Sequence, residues 1–391
     1  VYNLPLTLKI LLLCKKVPYP ATDGESLVIM NDARLLRELG HKVFFFCLNT
    51  KKHWVDTTNY SEIQEWDGFK AFDHHPDSLR SYTHSLMSSH PLQIARFYSI
   101  SIECKLKEYI HKLNIDLIIY QGLAMTQYLK DVALKKLYRV HNLEHKIWVN
   151  LAHQNRHPIK RNIQRRTAAT LKKYEMTYLG NMTAIVTLSN EEKIFFEPIY
   201  PKHLLAAISL SLPPAPIETY TENRKGLLFI GSLDWEPNRE GLNWFLKEIY
   251  PSISHIPLTI AGKGQFESAL ENVCVITNFH NTSALLNTHR CMIVPLLSGA
   301  GIRIKIIEAM QYGLPTISTS IGAEGINYLP GSILVENDAE KWIELILNLY
   351  SDDSKCLKLS EQLLTSYQAF YSSEKVTEKW RRFIALLGEL L

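Results

Sequence analysis

The sequence predicts an α/β protein built as two doubly wound, Rossmann-like domains. Three observations carry this. Apolar strand-like runs alternate with helical patterns along almost the whole chain, as in parallel sheets covered by helices on both faces. The alternation breaks at a proline-rich stretch, 198–225, and then starts again. A chain of 391 residues is also too long for one ordinary core.

The first series opens with a strand at 8–13, a loop at 15–24 with Pro18, Pro20 and Gly24, and a helix over 25–39. Ile29, Ala33 and Leu36 recur there at helical spacing, and Gly40 closes the helix. A strand at 42–48 follows, with others expected at 115–120, 137–141 and 183–188. The last runs into Ser189-Asn190-Glu191-Glu192, a capping-box signature that opens a helix. Pro213, Pro214 and Pro216 place the interdomain linker in 198–225. The second series then reads strand 226–231, helix 238–249, strands 257–261 and 273–276, helix 282–288, strand 291–297, helix 302–312 and strand 315–319. An amphipathic helix ends the chain. The expected domains are 1–205 and 206–371, facing each other, with ligands bound at the carboxyl ends of their strands.

Hydrophobic content of 46% and charged content of 21% are those of a globular protein. The opening apolar run is interrupted by Lys9 and closed by Lys15-Lys16, far short of the roughly 20 residues that cross a bilayer. No signal peptide is visible, so a cytoplasmic protein is expected. Its six cysteines show no C-x-x-C spacing and read as reduced core thiols. Charge is uneven. Residues 1–195 hold 27 Lys+Arg against 18 Asp+Glu, and the remainder 16 against 21. The basic half either faces an anionic membrane or acceptor, giving peripheral association at the inner membrane surface, or is an ordinary asymmetry between domains.

The richest segment is 295–325, P-L-L-S-G-A-G-I-R-I-K-I-I-E-A-M-Q-Y-G-L-P-T-I-S-T-S-I-G-A-E-G. Ile293, Val294, Leu296 and Leu297 read as a buried parallel strand. The loop Ser298-Gly299-Ala300-Gly301 leads into a helix from Ile302. That helix carries Arg303 and Lys305 in its first turn, where the macrodipole already places positive charge. Two cations there are unfavourable unless an anion sits among them and the free backbone N–H groups, and glycine loops before helices make such sites. Glu308 follows as an acceptor for a ribose hydroxyl. Gly313 suits a left-handed cap, and Pro315 stops the helix. The segment reads as a site for a phosphorylated, sugar-bearing ligand, set against a solvated turn with a Lys305–Glu308 pair.

Other candidates are weaker. Gly24 opens a helix and lies in a phosphate-accessible loop or a plain turn. His141 ends a predicted strand, where a neutral imidazole would meet a sugar or phosphate. Glu144 would orient an acceptor or act on its proton, and His145 is expected on the surface. Gly262-Lys263-Gly264 lacks the third glycine of a dinucleotide fingerprint and reads as a tight turn near a nucleobase. Arg156, Lys160, Arg161, Arg165, Arg166, Lys172 and Lys173, with Ile159, Ile163, Leu171 and Tyr174 between them, form either a lipid-docking stretch or a solvated helix. No aromatic platform accompanies these charges, so nucleic acid is not expected. No Asp-x-Asp spacing occurs, which disfavours a metal-dependent enzyme.

The 295–325 segment resembles the family 4 retaining glycosyltransferases (glycosyl transferases group 1), in the branch that reads G-x-G-x-R-x-K-x-x-E-A-M before a G-A-E-G loop. The resemblance implies the GT-B fold, with the final helix crossing back onto the first domain. It also implies transfer of a sugar from a nucleoside diphosphate donor to a glycan or lipid-linked acceptor, without cofactor or metal. By the same resemblance Glu308 holds the ribose, Gly231, Ser232 and the 299–302 loop line the donor, and Phe279 contacts the base through its backbone. Gly24 and His141 face the donor, and Asp23, Asn142 and Glu144 lie on the acceptor side. Two departures stand out. Ala300 replaces an expected glutamate, and Asp234 and Pro237 stand near the usual arginine and lysine, so Arg303 and Lys305 are left to supply the charge. The broken pattern keeps open a non-catalytic nucleotide-sugar-binding subunit, and the fold keeps open a nucleotide-sugar epimerase.

Overall fold

The computed structural model describes residues 7–76, 83, 90–155, 157–200, 205–215, 220, 223–277, 282–299 and 301–389. The chain divides into two units, Val1–Leu210 with Val376–Leu391, and Ser211–Lys375.

The first unit carries seven strands: β1 (Lys9–Cys14), β2 (Lys42–Thr50), β3 (Gly68–His74), β4 (Leu117–Gln121), β5 (Lys135–Arg139), β6 (Ala184–Thr187) and β7 (Leu205–Ala207). They lie in the order β3-β2-β1-β4-β5-β6-β7, and the pairings are parallel. Parallel sheets bury both faces, so their central strands read as near-continuous apolar runs. In β1, Ile10, Leu12 and Cys14 enter the core that holds Phe45 and Ile119, while Leu11 and Leu13 enter the one that holds Phe46 and Tyr120. The covering helices include α1 (Gly24–Glu38), α2 (Ile100–Leu113), α3 (Glu144–Gln154), α4 (Pro158–Thr177) and α5 (Asn190–Phe196). The Ser189–Glu192 signature closes as a capping box at the start of α5.

The second unit repeats the plan with β8 (Leu227–Ile230), β9 (Leu258–Gly262), β10 (Val273–Thr277), β11 (Cys291–Val294), β12 (Thr316–Ser318) and β13 (Leu334–Val335), in the order β10-β9-β8-β11-β12-β13. Its helices include α6 (Glu236–Trp244), α7 (Thr282–Thr288), α8 (Ile304–Gln311), α9 (Ala339–Ser351) and α10 (Asp353–Phe370). The last helix, α11 (Ser373–Glu389), returns its apolar face to the first unit, where Val376, Trp380, Phe383, Ile384 and Leu387 share a core with β1 and β2.

Several expectations need correction. Part of the 198–225 segment is no linker: β7 joins the first sheet, and Ile208, Leu210 and Leu212 beyond it are buried. The strand before the glycine loop stops at Val294, because Pro295 has no N–H to continue the ladder. Leu296 is still buried, but Leu297 is exposed. Helix α8 begins at Ile304, two residues later than expected, and β5 ends at Arg139, two residues before His141. Of the six cysteines, Cys104 and Cys274 are exposed and the other four are buried, all as free thiols.

Candidate active site

The second sheet's order reverses between β8 and β11, the place where open α/β sheets bind ligands. Glycines keep the strand ends bare. A Cβ on Gly231, just past β8, would lie 2.7 Å from the Asn238 amide and 2.8 Å from the Lys305 ammonium. One on Gly262 would lie 1.8 Å from the Gly231 carbonyl oxygen. After β11, Gly299 and Gly301 adopt φ of +116° and +89°, open to glycine without strain. Ser298 pins this loop by donating to Glu240 Oε2 at 2.7 Å.

Arg303 directly precedes α8 in a non-helical conformation. Its side chain is buried, donates to the Gly301 carbonyl and lies 5.8 Å over the Trp235 ring. Burial pulls the guanidinium down to about 10, with Glu324 opposing. Lys305 Nζ donates to Asn238 Oδ1 at 3.2 Å and stands 4.4 Å over the Phe229 ring. Burial, and then Arg303, push its ammonium down to about 7 while Glu308 opposes. Glu308, one turn along α8, is pushed up to about 7 by burial, against the pull of Lys305. Two desolvated cations here face carboxyl groups that only partly offset them. A bound anion would supply the missing charge.

In the first unit the order reverses between β1 and β4. Asp23 caps α1 by accepting from Ser26 N at 3.1 Å, and Lys16 Nζ donates to its carboxylate at 2.6 and 2.7 Å. Burial would raise the Asp23 pKa, but these hydrogen bonds outweigh it and hold the group below its ordinary value. Lys15 pairs with Glu25 at 3.2 Å, and Gly24 is the first residue of α1. His141 is buried, with Nε2 2.8 Å from Gln121 Oε1, while Nδ1 has no hydrogen-bond partner among the described residues. Burial pushes the imidazole down to about 3. Arg139, Lys15 and Lys16 add to this, and Glu25 opposes. The ring is therefore neutral. Glu144 opens α3 with its carboxyl raised by burial, Lys15 opposing and Glu175 and Glu25 reinforcing. Asn142 is half-buried beside it.

His145, expected on the surface, is buried: it pairs with Glu175, and its ring packs 4.8 Å from that of Phe195. Glu175 also accepts from the Glu144 N–H at 2.7 Å, so these three residues fix the start of α3. The structure brings Gly231, Gly299, Gly301, Arg303, Lys305 and Glu308 to one place in the second unit, with Ser232 exposed and Ile302 half-buried close by in the chain. Asp23, Gly24, His141 and Glu144 gather in the first. Phe279 and Ala300 lie outside the described residues. Asn238 and Trp235, which contact the two cations, belong to no motif that the sequence reading singled out. Their only trace was a tryptophan and an asparagine soon after the Gly231 turn.

Comparisons with known proteins fall on this geometry. Residues 224–352 match the family described as glycosyl transferases group 1, a span that contains Gly231, Arg303, Lys305 and Glu308. The two-sheet plan matches solved structures over nearly the whole chain. Sucrose-phosphate synthase from Thermosynechococcus elongatus superposes with a TM-score of 0.69 at 15% identity, over 98% of this chain and all of that one. HepE of Anabaena, in complex with UDP, gives 0.64 at 12% identity, over 97% and 100%. The fold is GT-B. A Klebsiella pneumoniae protein, described as an uncharacterized 44.6 kDa protein in the cps region, is 23% identical over 94% of this chain and 97% of its own. Among the described GT-B helices none is long and apolar enough to cross a membrane.

Proposed function

We propose that the protein is a glycosyltransferase that moves a sugar from a nucleoside diphosphate donor to a hydroxyl of a glycan or glycolipid, with retention and without a metal or cofactor. The observation that carries this reading is the pair of Arg303, buried beside Gly299, and Lys305, whose desolvated ammonium stands beside Gly231 at the end of β8. The group 1 match over 224–352 supports it, as does the fold shared with a UDP complex.

In this reading the diphosphate lies against Arg303, Lys305 and the N–H groups at the start of α8. Negative charge builds on the leaving diphosphate as the glycosidic bond breaks, and fixed cations stabilise it without reorganising. Glu308 receives the ribose, and the bare backbone at Gly231 and Ser232 lets the donor approach. With Gln121 Oε1 accepting from His141 Nε2, Nδ1 is left as an acceptor, which suits a sugar hydroxyl. Asp23 stays with Lys16 and the α1 cap, and Asn142 and Glu144 serve the acceptor. The proton of the attacking hydroxyl passes to the departing phosphate.

Purified protein given a nucleotide sugar without acceptor should slowly release nucleoside diphosphate, and should do so equally in excess EDTA. With an acceptor, the product should keep the donor's anomeric configuration. Tight binding without release would favour the non-catalytic subunit. Loss in EDTA with rescue by manganese would defeat the metal-free reading.

A further inference from the structure

We propose that the α3–α4 hairpin docks the first unit on an anionic lipid surface, with Ile159 and Ile163 entering the head-group layer and the flanking cations meeting the phosphates. Residues 145–174 contain eight Lys and Arg and no Asp or Glu, in a chain whose totals are nearly balanced at 43 and 39. That is segregated charge, not a surface average. The structure then separates the apolar residues of α4 into two sets. From Ala168 onward it buries Ala168, Leu171 and Tyr174. Its first nine residues, 158–166, are exposed except for half-buried Gln164. There Ile159 is 66% exposed and Ile163 57%, four residues apart and therefore on one face. Val149 and Leu151, in the last two turns of α3 at the same end of the hairpin, are exposed as well.

A helix end with aliphatic side chains among Lys160, Arg161, Arg165 and Arg166 fits the chemistry of a membrane surface. Apolar groups enter the interface while basic ones bind anionic head groups, each strengthening attachment about fivefold. Nucleic acid fits less well, because the exposed apolar residues are aliphatic and offer bases nothing to stack on. Helix α3 begins three residues after His141, so the hairpin springs from the strand-end face of the first unit. That the docked membrane also holds the acceptor rests on the glycosyl-transfer reading; the docking itself does not.

The test is co-sedimentation of the full chain with vesicles of phosphatidylcholine alone, or mixed with phosphatidylglycerol. Binding is expected only to the mixed vesicles. The pairs Arg161→Glu with Arg165→Glu, and Ile159→Asp with Ile163→Asp, should each weaken it about tenfold or more. Both pairs are exposed and outside the candidate site, so melting temperature and nucleoside diphosphate affinity should stay at the parent values. No binding to mixed vesicles, or binding unchanged in both variants, overturns the proposal. So does equally tight binding to duplex DNA that the isoleucine changes leave intact, since that marks a plain polycation. Vesicle binding without nucleotide binding would instead keep the docking surface and remove the glycosyl-transfer reading.

Discussion

The ammonium of Lys305 has left water for a hydrogen bond to Asn238 and the face of Phe229, with Arg303 beside it as a like charge. Its folded value of about 7 lies below the ordinary 10.5. Between these values the unfolded chain holds a proton that the folded chain lacks, so this group's contribution to stability rises with pH there. The cost of burying the charge is fully present below about pH 7. Glu308 behaves in the opposite sense. Its folded value of about 7 lies above 4.5, so its contribution falls as pH rises between them, and its cost is fully present above about pH 7. The free protein should therefore gain least from this pair near neutrality. A diphosphate against Lys305 would restore its proton. Calorimetric titration at pH 8 in buffers of differing ionisation enthalpy should show uptake of about one proton per nucleoside diphosphate bound. Lys305→Met should remove the uptake and weaken binding, by about 1.5–3 kcal/mol for a lost charge-assisted hydrogen bond. Undiminished uptake in that variant would take Lys305 out of the phosphate site.

At the scale of elements, two glycines at neighbouring strand ends make opposite demands. A Cβ at Gly262 meets the Gly231 carbonyl, which is backbone and can yield only if β8 and β9 separate. Gly262→Ala should cost about 1–3 kcal/mol of stability, read as a lowered melting temperature. A Cβ at Gly231 meets the far ends of Asn238 and Lys305, which can swing away. Gly231→Ala should melt near the parent yet bind nucleoside diphosphate more weakly, because Lys305 is displaced. Normal affinity in that variant would show that the position of Lys305 over Gly231 is immaterial. Most elements were legible because both sheets are parallel and buried on both faces, so their strands read as continuous apolar runs such as K-I-L-L-L-C. The exceptions have physical causes. β3, β7 and β13 are edge strands: β3 has half-exposed residues, and β7 and β13 span only three and two. At the candidate site the glycines and cations were visible as local chemistry. Asn238 meets Lys305 across 67 positions of chain, a proximity that only the fold creates.

The molecule as a whole has separate cores in its two units, and a buried hub lies where the chain leaves the first and later returns to it. Arg139 is fully buried. It donates to Asp32 at 2.8 and 3.1 Å, to the Thr187 carbonyl at 3.0 Å and to the Ile208 carbonyl at 2.7 Å, and it lies 5.5 Å from the Trp380 ring centre. Ile208 stands just before the departure at Leu210, and Trp380 just after the return at Val376. Trp380→Ala would strip that hub and cavitate the first core, a loss of about 3–5 kcal/mol. For a unit of this size the matching transition should fall by about 10 °C. The second unit buries its own apolar residues around Phe229, Ile293 and Trp342, and no part of α11 belongs to that cluster. Scanning calorimetry of Trp380→Ala should therefore resolve two transitions, of which only the lower one has moved. If nucleoside diphosphate binds at the proposed site in the second unit, about 100 times its dissociation constant should add about 2.7 kcal/mol to the other transition. The two transitions should then stand further apart. A single transition that follows both the substitution and the ligand would mean that the units unfold as one cooperative body, and that α11 couples the second core as firmly as the first.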